Sequence, residues 1–236
     1  MLLRAHSSQH LADVRAAVED FDLDTPAYPR IYDHAAQAAG AAANVAREAL
    51  RGNPAFSLMR PPGHHATRDQ AMGFCYFSNI AVVALDALAN GMERVAIWDF
   101  DAHHGNGTEA IVARNSQIEF ASIHQFPAYP GTGQHSFANI KNYPVPPYTP
   151  RPEHTREVER ALQGLLAFKP DLLLVSAGFD AYAGDPLTQM SLESDDFATF
   201  GKWLHECGVA AGAILEGGYS DELPELIDAF LTAWES

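Results

Sequence analysis

An α/β fold with a mostly parallel sheet, covered by helices on both faces, is what this sequence predicts. Short apolar runs rich in β-branched residues alternate with longer segments whose apolar residues recur at helical spacing. The short runs are hydrophobic along their whole length rather than at every second residue, which is the pattern of strands buried on both faces. With 236 residues, 47% of them hydrophobic, the chain can bury one substantial core.

In chain order, helical spacing covers Ser8–Asp20 and Asp33–Arg51, and the first strand follows at Phe56–Met59. A helix over Ser78–Asn90 leads to a strand at Val95–Phe100, and a short helix over Thr108–Arg114 leads to a strand at Ile118–Ile123. The stretch from Phe126 to Pro152 is rich in Pro, Gly, Tyr and polar residues without periodicity, and reads as a long ordered loop. Beyond it come a helix over Pro152–Phe168, a strand at Leu172–Ser176, a helix over Ser194–Cys207, a strand at Ala213–Leu215 and a last helix over Glu222–Trp234. Several of these helices open on a capping-type residue and close near Gly or Pro. No internal repeat is evident.

The formal net charge of -15 argues against nucleic acid or an anionic membrane as a partner, because either needs clustered Lys and Arg. A cationic or amine-releasing substrate fits that charge better. Met1–His10 contains no apolar stretch of signal-peptide length and no later segment reaches the span of a membrane helix, so the expected location is cytoplasmic. Cys75 and Cys207 are too few for a disulfide framework and match no Cys-based zinc spacing; both read as core thiols.

Polar residues gather where strands end. RPPGHH follows the first strand, WDFDAHHGNG the second, SAGFDAYAGDP the fourth and EGGY the fifth. In a parallel sheet those ends share one edge, where ligand crevices form. Asp99, Asp101 and His103 alternate, so extended backbone would point them to one side. Asp101 and His103 could then bind one metal while Asp99 supports a neighbour, with Asp180 as a third ligand. Two carboxylates and one imidazole leave a coordination position open for water, as in hydrolytic centres. Any one of these residues alone could be a helix cap or a satisfied loop residue; convergence of four clusters on one edge favours a site.

His64 and His65 follow two prolines and a glycine, which stiffen the turn and restrict where the rings point. Adjacent imidazoles suit proton transfer, because neighbouring groups can tune the two differently. Tyr219, after two glycines, could present a phenol to the crevice.

RPPGHHA, GFCYFSN, WDFDAHHGNG, YPGTG, SAGFDAYAGDP and LEGGY, in that order, resemble the active-site motifs of the histone deacetylase and acetylpolyamine amidohydrolase superfamily, especially its class II and bacterial members. The likeness runs from about His6 to the C-terminus. It implies an arginase-like three-layer α/β/α fold and hydrolysis of an acylated amine, such as an acetyl-lysine or acetylpolyamine. It also implies a catalytic Zn²⁺ on Asp101, His103 and Asp180. By the same resemblance His65 is the general base and then acid, and His64 is its electrostatic partner oriented by Asp99. Asn106 stands where some relatives carry an aspartate, and an amide there makes His65 less basic. Tyr219 donates to the substrate carbonyl. Phe74 and Tyr129 match two aromatic walls of an acyl-lysine channel, with Gly73 and Gly217 beside them, Leu187 at the rim and Asp24 as a rim acceptor. A structural K⁺ is implied near Asp99, Asp101, His103 and Ser122, and His104 supports the site without reacting.

Residues 1–236 would thus form one catalytic domain lacking a segment that family members carry ahead of it. By resemblance Leu2–Ala5 is an edge strand whose usual partner lies in that segment, so the chain is expected to self-associate as a symmetric dimer or tetramer. Two other readings compete: a binuclear manganese ureohydrolase, which needs additional carboxylates, and a binding module that keeps the fold without activity.

Overall fold

A computed structural model describes residues 1–236. Six strands, β1 (Ala55–Ser57), β2 (Val95–Asp99), β3 (Ile118–Gln125), β4 (Ile140–Val145), β5 (Leu172–Ala177) and β6 (Ala211–Leu215), form one sheet in the order β1-β6-β5-β2-β3-β4. Every neighbouring pair is parallel. Seven helices accompany them: α1 (Ser8–Ala16), α2 (Ile31–Ala49), α3 (Asn79–Ala89), α4 (Asn106–Val112), α5 (Arg151–Ala167), α6 (Ser194–Glu206) and α7 (Leu223–Glu235). None is long and apolar enough to cross a membrane.

Continuous hydrophobicity in the strands has the expected cause. Val95 and Ile97 of β2 pack with α2 and α3, while Ala96 and Trp98 of the same strand face a core built from α5, α6 and α7. Alternate residues thus serve opposite layers, and both layers need them apolar. On the first face, α2 turns a row of buried alanines toward the sheet. The helix comes so close that a Cβ on Gly212 of β6 would lie 2.5 Å from Val45 Cγ1. The second face is aromatic, with Trp98, Phe100, Phe179, Phe197, Phe200 and Phe230 all fully buried.

Two expectations fail. Ile140–Val145, inside the segment expected to be loop, is strand β4, paired with β3 from Phe120↔Ile140 to Gln125↔Val145. It is an edge strand with mixed burial, and its Pro144 lacks a ladder donor, a combination tolerated only at an edge. Leu2–Ala5 forms no strand: Leu2–Arg4 is one turn of 3₁₀-helix, with Leu3 62% exposed. Self-association through a strand there has no strand to act through; the free edges of the sheet are β1 and β4.

Register sets up the site. Asp99, the last residue of β2, pairs with Ser122 on β3 and with Ser176 on β5, so a polar row crosses the C-terminal edge where the apolar ladder stops. On the aromatic face of the sheet, α6 lies on α7 with Gly201 against the main chain of Phe230 and Trp234. A Cβ there would sit 3.1 Å from Trp234 N. Gly201→Val should therefore destabilise by overpacking, by about 1–3 kcal/mol. In a thermal melt that lowers Tm by roughly 2–4 °C per kcal/mol for a chain of this size; an unchanged Tm would contradict this packing.

Candidate active site

The alternation of Asp99, Asp101 and His103 does not arise from extended backbone, because β2 ends at Asp99. Two consecutive Asx turns produce it instead. Asp99 Oδ1 accepts the Asp101 N–H at 3.2 Å, and Asp101 Oδ1 accepts the His103 N–H at 2.9 Å. Asp180 arrives from the loop after β5, with its Oδ1 accepting the Ala102 N–H at 2.8 Å and its Oδ2 lying 2.7 Å from His103 Nδ1. Asp101 Oδ2 accepts the Gly217 N–H at 2.6 Å. Ligand-type atoms of Asp101, His103 and Asp180 all lie within 4.8 Å of one another.

Chemically this set fits a divalent cation. Asp101 and Asp180 are fully buried, and burying two carboxylates side by side is costly unless a positive charge joins them. Burial pushes Asp180 up to about 6, and the facing Asp101 adds to the effect. Burial also works against a charged His103, but Asp180 and Asp101 outweigh it and hold that ring up at about 11. One imidazole nitrogen with two carboxylates is a donor set that zinc accepts.

His64 and His65 sit on the turn that follows β1, with ring centroids 4.0 Å apart. His64 Nδ1 donates to Asp99 Oδ2 at 3.1 Å, and its Nε2 is 3.7 Å from Asp101 Oδ1. Burial disfavours charge on His64, yet Asp101 and Asp99 reverse the balance and raise it to about 10. His65 goes the other way, held well below its ordinary value by burial and then by the neighbouring His64. The Asn106 Oδ1 lies 2.7 Å from His65 Nδ1, while the Asn106 amide N–H points to Met72 Sδ at 3.4 Å. That network assigns the hydrogen to His65 Nδ1 and leaves Nε2 with a free lone pair.

Above these groups opens a cavity of about 220 Å³. His64, His65, His103 and Tyr219 line it, and so do Phe74, Tyr129, Gly73, Gly217, Leu187 and Asp24. Each residue expected at the substrate side therefore reaches the same space. Tyr129 stands edge-on to His65 at 5.1 Å between centroids, and Phe74 lies 5.7 Å from Tyr219. Burial, then the Asp180 and Asp101 charges, push the Tyr219 phenol up, so its hydroxyl stays a donor.

The aromatic wall is held by groups that sequence reasoning did not single out. Gly73 and Phe74 both have positive φ, +56° and +66°, in a two-residue turn between Met72 and Cys75. A left-handed Phe is unusual and needs support. Asp22 Oδ2 accepts the Gly73 N–H at 3.3 Å, and Thr25 Oγ1 accepts the Phe74 N–H at 3.1 Å. A side chain on Gly73 would put its Cβ 2.6 Å from the His65 ring. Asp185 was also missed; its Oδ2 accepts the Tyr219 N–H at 2.8 Å and its Oδ1 the Leu187 N–H at 2.9 Å.

His104 faces away from the cavity. Its Nδ1 meets Thr132 Oγ1 at 2.8 Å and its Nε2 meets Glu109 Oε2 at 3.1 Å, tying α4 to the loop that carries Tyr129. Ser122 Oγ is 2.9 Å from His124 Nδ1, next to Asp99 in register. Cys75 and Cys207 are both free thiols.

The chain is similar to several known proteins. A probable deacetylase of Methanothermobacter thermautotrophicus is 39% identical, over 94% of this chain and 71% of that protein. Acetylpolyamine amidohydrolase 2 of Pseudomonas aeruginosa is 34% identical over 89% of this chain and 64% of that one. The crystal structure of an acetylpolyamine aminohydrolase from Burkholderia pseudomallei superposes with a TM-score of 0.85 at 32% identity, covering 94% of this chain and 68% of that one. The histone deacetylase domain matches residues 1–234, and the chain belongs to that family of deacetylases and amidohydrolases.

Proposed function

We propose that this chain is a zinc-dependent amidohydrolase that removes acetyl or similar acyl groups from a linear amine. The observation that carries the reading is that His103, an asymmetric histidine pair, a protonated tyrosine and two aromatic walls line one cavity, with ligand atoms of the buried Asp101 and Asp180 within 4.8 Å of that of His103. Acetylpolyamine amidohydrolases and deacetylases among the relatives fit the same substrate chemistry.

Asp101, His103 and Asp180 would hold the zinc, which when bound would supply Lewis acidity toward the amide carbonyl and lower the pKa of a water molecule. The acyl-amine enters between Phe74 and Tyr129, which accept a narrow, extended chain and exclude bulk water. His65 Nε2 takes the proton from the attacking water oxygen as the new C–O bond forms. His64, held charged against Asp99, keeps His65 weakly basic and so ready to give that proton up. The Tyr219 hydroxyl donates to the carbonyl oxygen as negative charge builds there. The proton then passes from His65 to the amine nitrogen as the C–N bond breaks, leaving a carboxylic acid and an amine, which become carboxylate and ammonium by proton exchange. Asp24 at the rim accepts from an N–H or an ammonium group of the substrate. A structural K⁺ would be held by Asp99, Asp101, His103 and Ser122, of which Asp99 and Ser122 are register partners.

Three variants test this reading. Asp101→Ala should abolish both bound zinc and turnover of an acetyl-lysine amide; wild-type turnover in that variant would show that the site is misassigned. Tyr219→Phe should lower kcat by about 10²–10³ at unchanged zinc content, the usual cost of losing one oxyanion donor. An unaffected kcat removes the tyrosine from the mechanism. In Gly217→Ala the added Cβ would lie 2.5 Å from Asp180 Oδ2 and 2.6 Å from Asp101 Oδ2. Such displacement should weaken zinc binding by about 10–100-fold, the range seen when groups supporting metal ligands are lost. A competition titration with a chromophoric chelator reads this without any activity assay, and equal affinity would refute it.

A further inference from the structure

Two acids of the strand-end clusters, Asp185 and Glu216, are not used by the mechanism, and Glu216 is the one with no solvent exposure at all. It follows the last residue of β6, directly before the two glycines and Tyr219. Its Oε2 accepts two main-chain N–H groups, from Gly63 at 2.7 Å and from His64 at 3.1 Å. Its Oε1 accepts the Ser176 hydroxyl at 3.1 Å. Both N–H donors belong to the turn that carries the histidine pair.

That turn has no slack elsewhere. A Cβ on Gly63 would lie 2.5 Å from Asn79 N, and Asn79 Nδ2 donates to the Pro61 carbonyl at 3.1 Å. The His64 carbonyl accepts the Gly107 and Thr108 N–H groups at the start of α4, at 3.0 and 3.1 Å. Glu216 thus supplies the remaining acceptors on the side facing β6. Buried N–H groups left without acceptors are costly, so an apolar residue in its place would drive the turn to move.

Arg60 returns the connection. It lies at the head of the same turn, and its guanidinium donates to the Glu216 carbonyl at 2.5 Å and to the Gly218 carbonyl at 3.3 Å. It also stands 5.9 Å from the centre of the Tyr219 ring. Gly218 has φ +130°, a conformation that other residues rarely adopt, so the loop bearing the tyrosine is held in shape by what grips its carbonyls.

We propose that Glu216 and Arg60 are positioning residues forming a reciprocal clasp between the His64–His65 turn and the Tyr219 loop. The clasp makes the proton-transfer group and the carbonyl donor one rigid unit on either side of the reacting bond. Neither residue touches the substrate; each acts through the groups it holds. The assignment rests on the hydrolytic reading above for its effect on rate, but the clasp itself can be measured without turnover.

The test uses the metal-loaded full chain with Glu216→Ala, Glu216→Gln, Arg60→Ala and the double variant Arg60→Ala/Tyr219→Phe. Glutamine keeps an oxygen for the Gly63 and His64 N–H groups and should restore what alanine loses. Glu216→Ala should speed amide hydrogen exchange at Gly63 and His64 and lower kcat by about 10²-fold, the scale of an ångström-level misplacement, with KM changed much less. Arg60 is exposed, so its alanine variant should fold even if Glu216→Ala does not. Arg60→Ala should lower kcat by about tenfold to 10²-fold in the native background. In the Tyr219→Phe background it should cost almost nothing further, because the group it positions is gone. Equal losses in the two backgrounds, or exchange at Gly63 and His64 unaltered in Glu216→Ala, would overturn the proposal. If Tyr219→Phe itself leaves kcat intact, the hydrolytic reading fails, while the exchange measurement still decides the clasp.

Discussion

Two carboxylates buried together at the C-terminal edge of a parallel sheet are the constraint to which the rest of this molecule answers. Asp101 and Asp180 have no solvent exposure; main-chain N–H groups of His103 and Gly217 engage the two oxygens of Asp101, and that of Ala102 engages one oxygen of Asp180. Such anions are tolerable only where donors and a cation are arranged around them. The glycine at position 217 is dictated by them, because a Cβ there would collide with an oxygen of each. His103 is drawn to them, and the His64 ring is held charged by Asp101 and Asp99. Burial and then the charge on His64 push His65 down, so the difference between two adjacent imidazoles rests partly on the Asp99 and Asp101 carboxylates beside His64.

What the sequence made legible was what repeats or what reacts. Strands β2, β3, β5 and β6 were readable because both faces of each are buried, giving unbroken apolar runs. Strand β4 was not, since an edge strand buries only some of its residues and IKNYPV carries a lysine, an asparagine and a proline. Leu2–Ala5 misled in the opposite sense, because LLRA looks apolar yet curls into a 3₁₀ turn. Of the side chains that meet in the cavity, His64, His65, His103 and Tyr219 were legible from their place at strand ends, Asp24, Phe74, Tyr129 and Leu187 only through the family resemblance, and Pro62 not as a lining residue. Those that hold main-chain atoms in place were not: Glu216, Arg60, Asp185, Asp22 and Thr25 act on N–H or C=O groups, and no spacing rule announces that.

This division has a physical reading. Residues that react need a side-chain type and a position at a strand end, both written locally in the chain. Residues that position them are selected by three-dimensional accounting of hydrogen bonds, across gaps such as the 153 residues between Gly63 and Glu216. The aromatic walls show both sides of it. Phe74 is recognisable from its motif, but the left-handed backbone that aims it into the cavity depends on an aspartate and a threonine some fifty residues earlier.

On the function proposed, one metal ion held by Asp101, His103 and Asp180 would turn this cavity into an amidohydrolase. The most direct measurement strips the chain of metal with a chelator and titrates zinc back while following acetyl-lysine amide hydrolysis. Activity should be lost on stripping and rise linearly to a plateau at one equivalent of zinc per chain. Full activity in the stripped chain, or a plateau reached only at two equivalents or only with manganese, would contradict it.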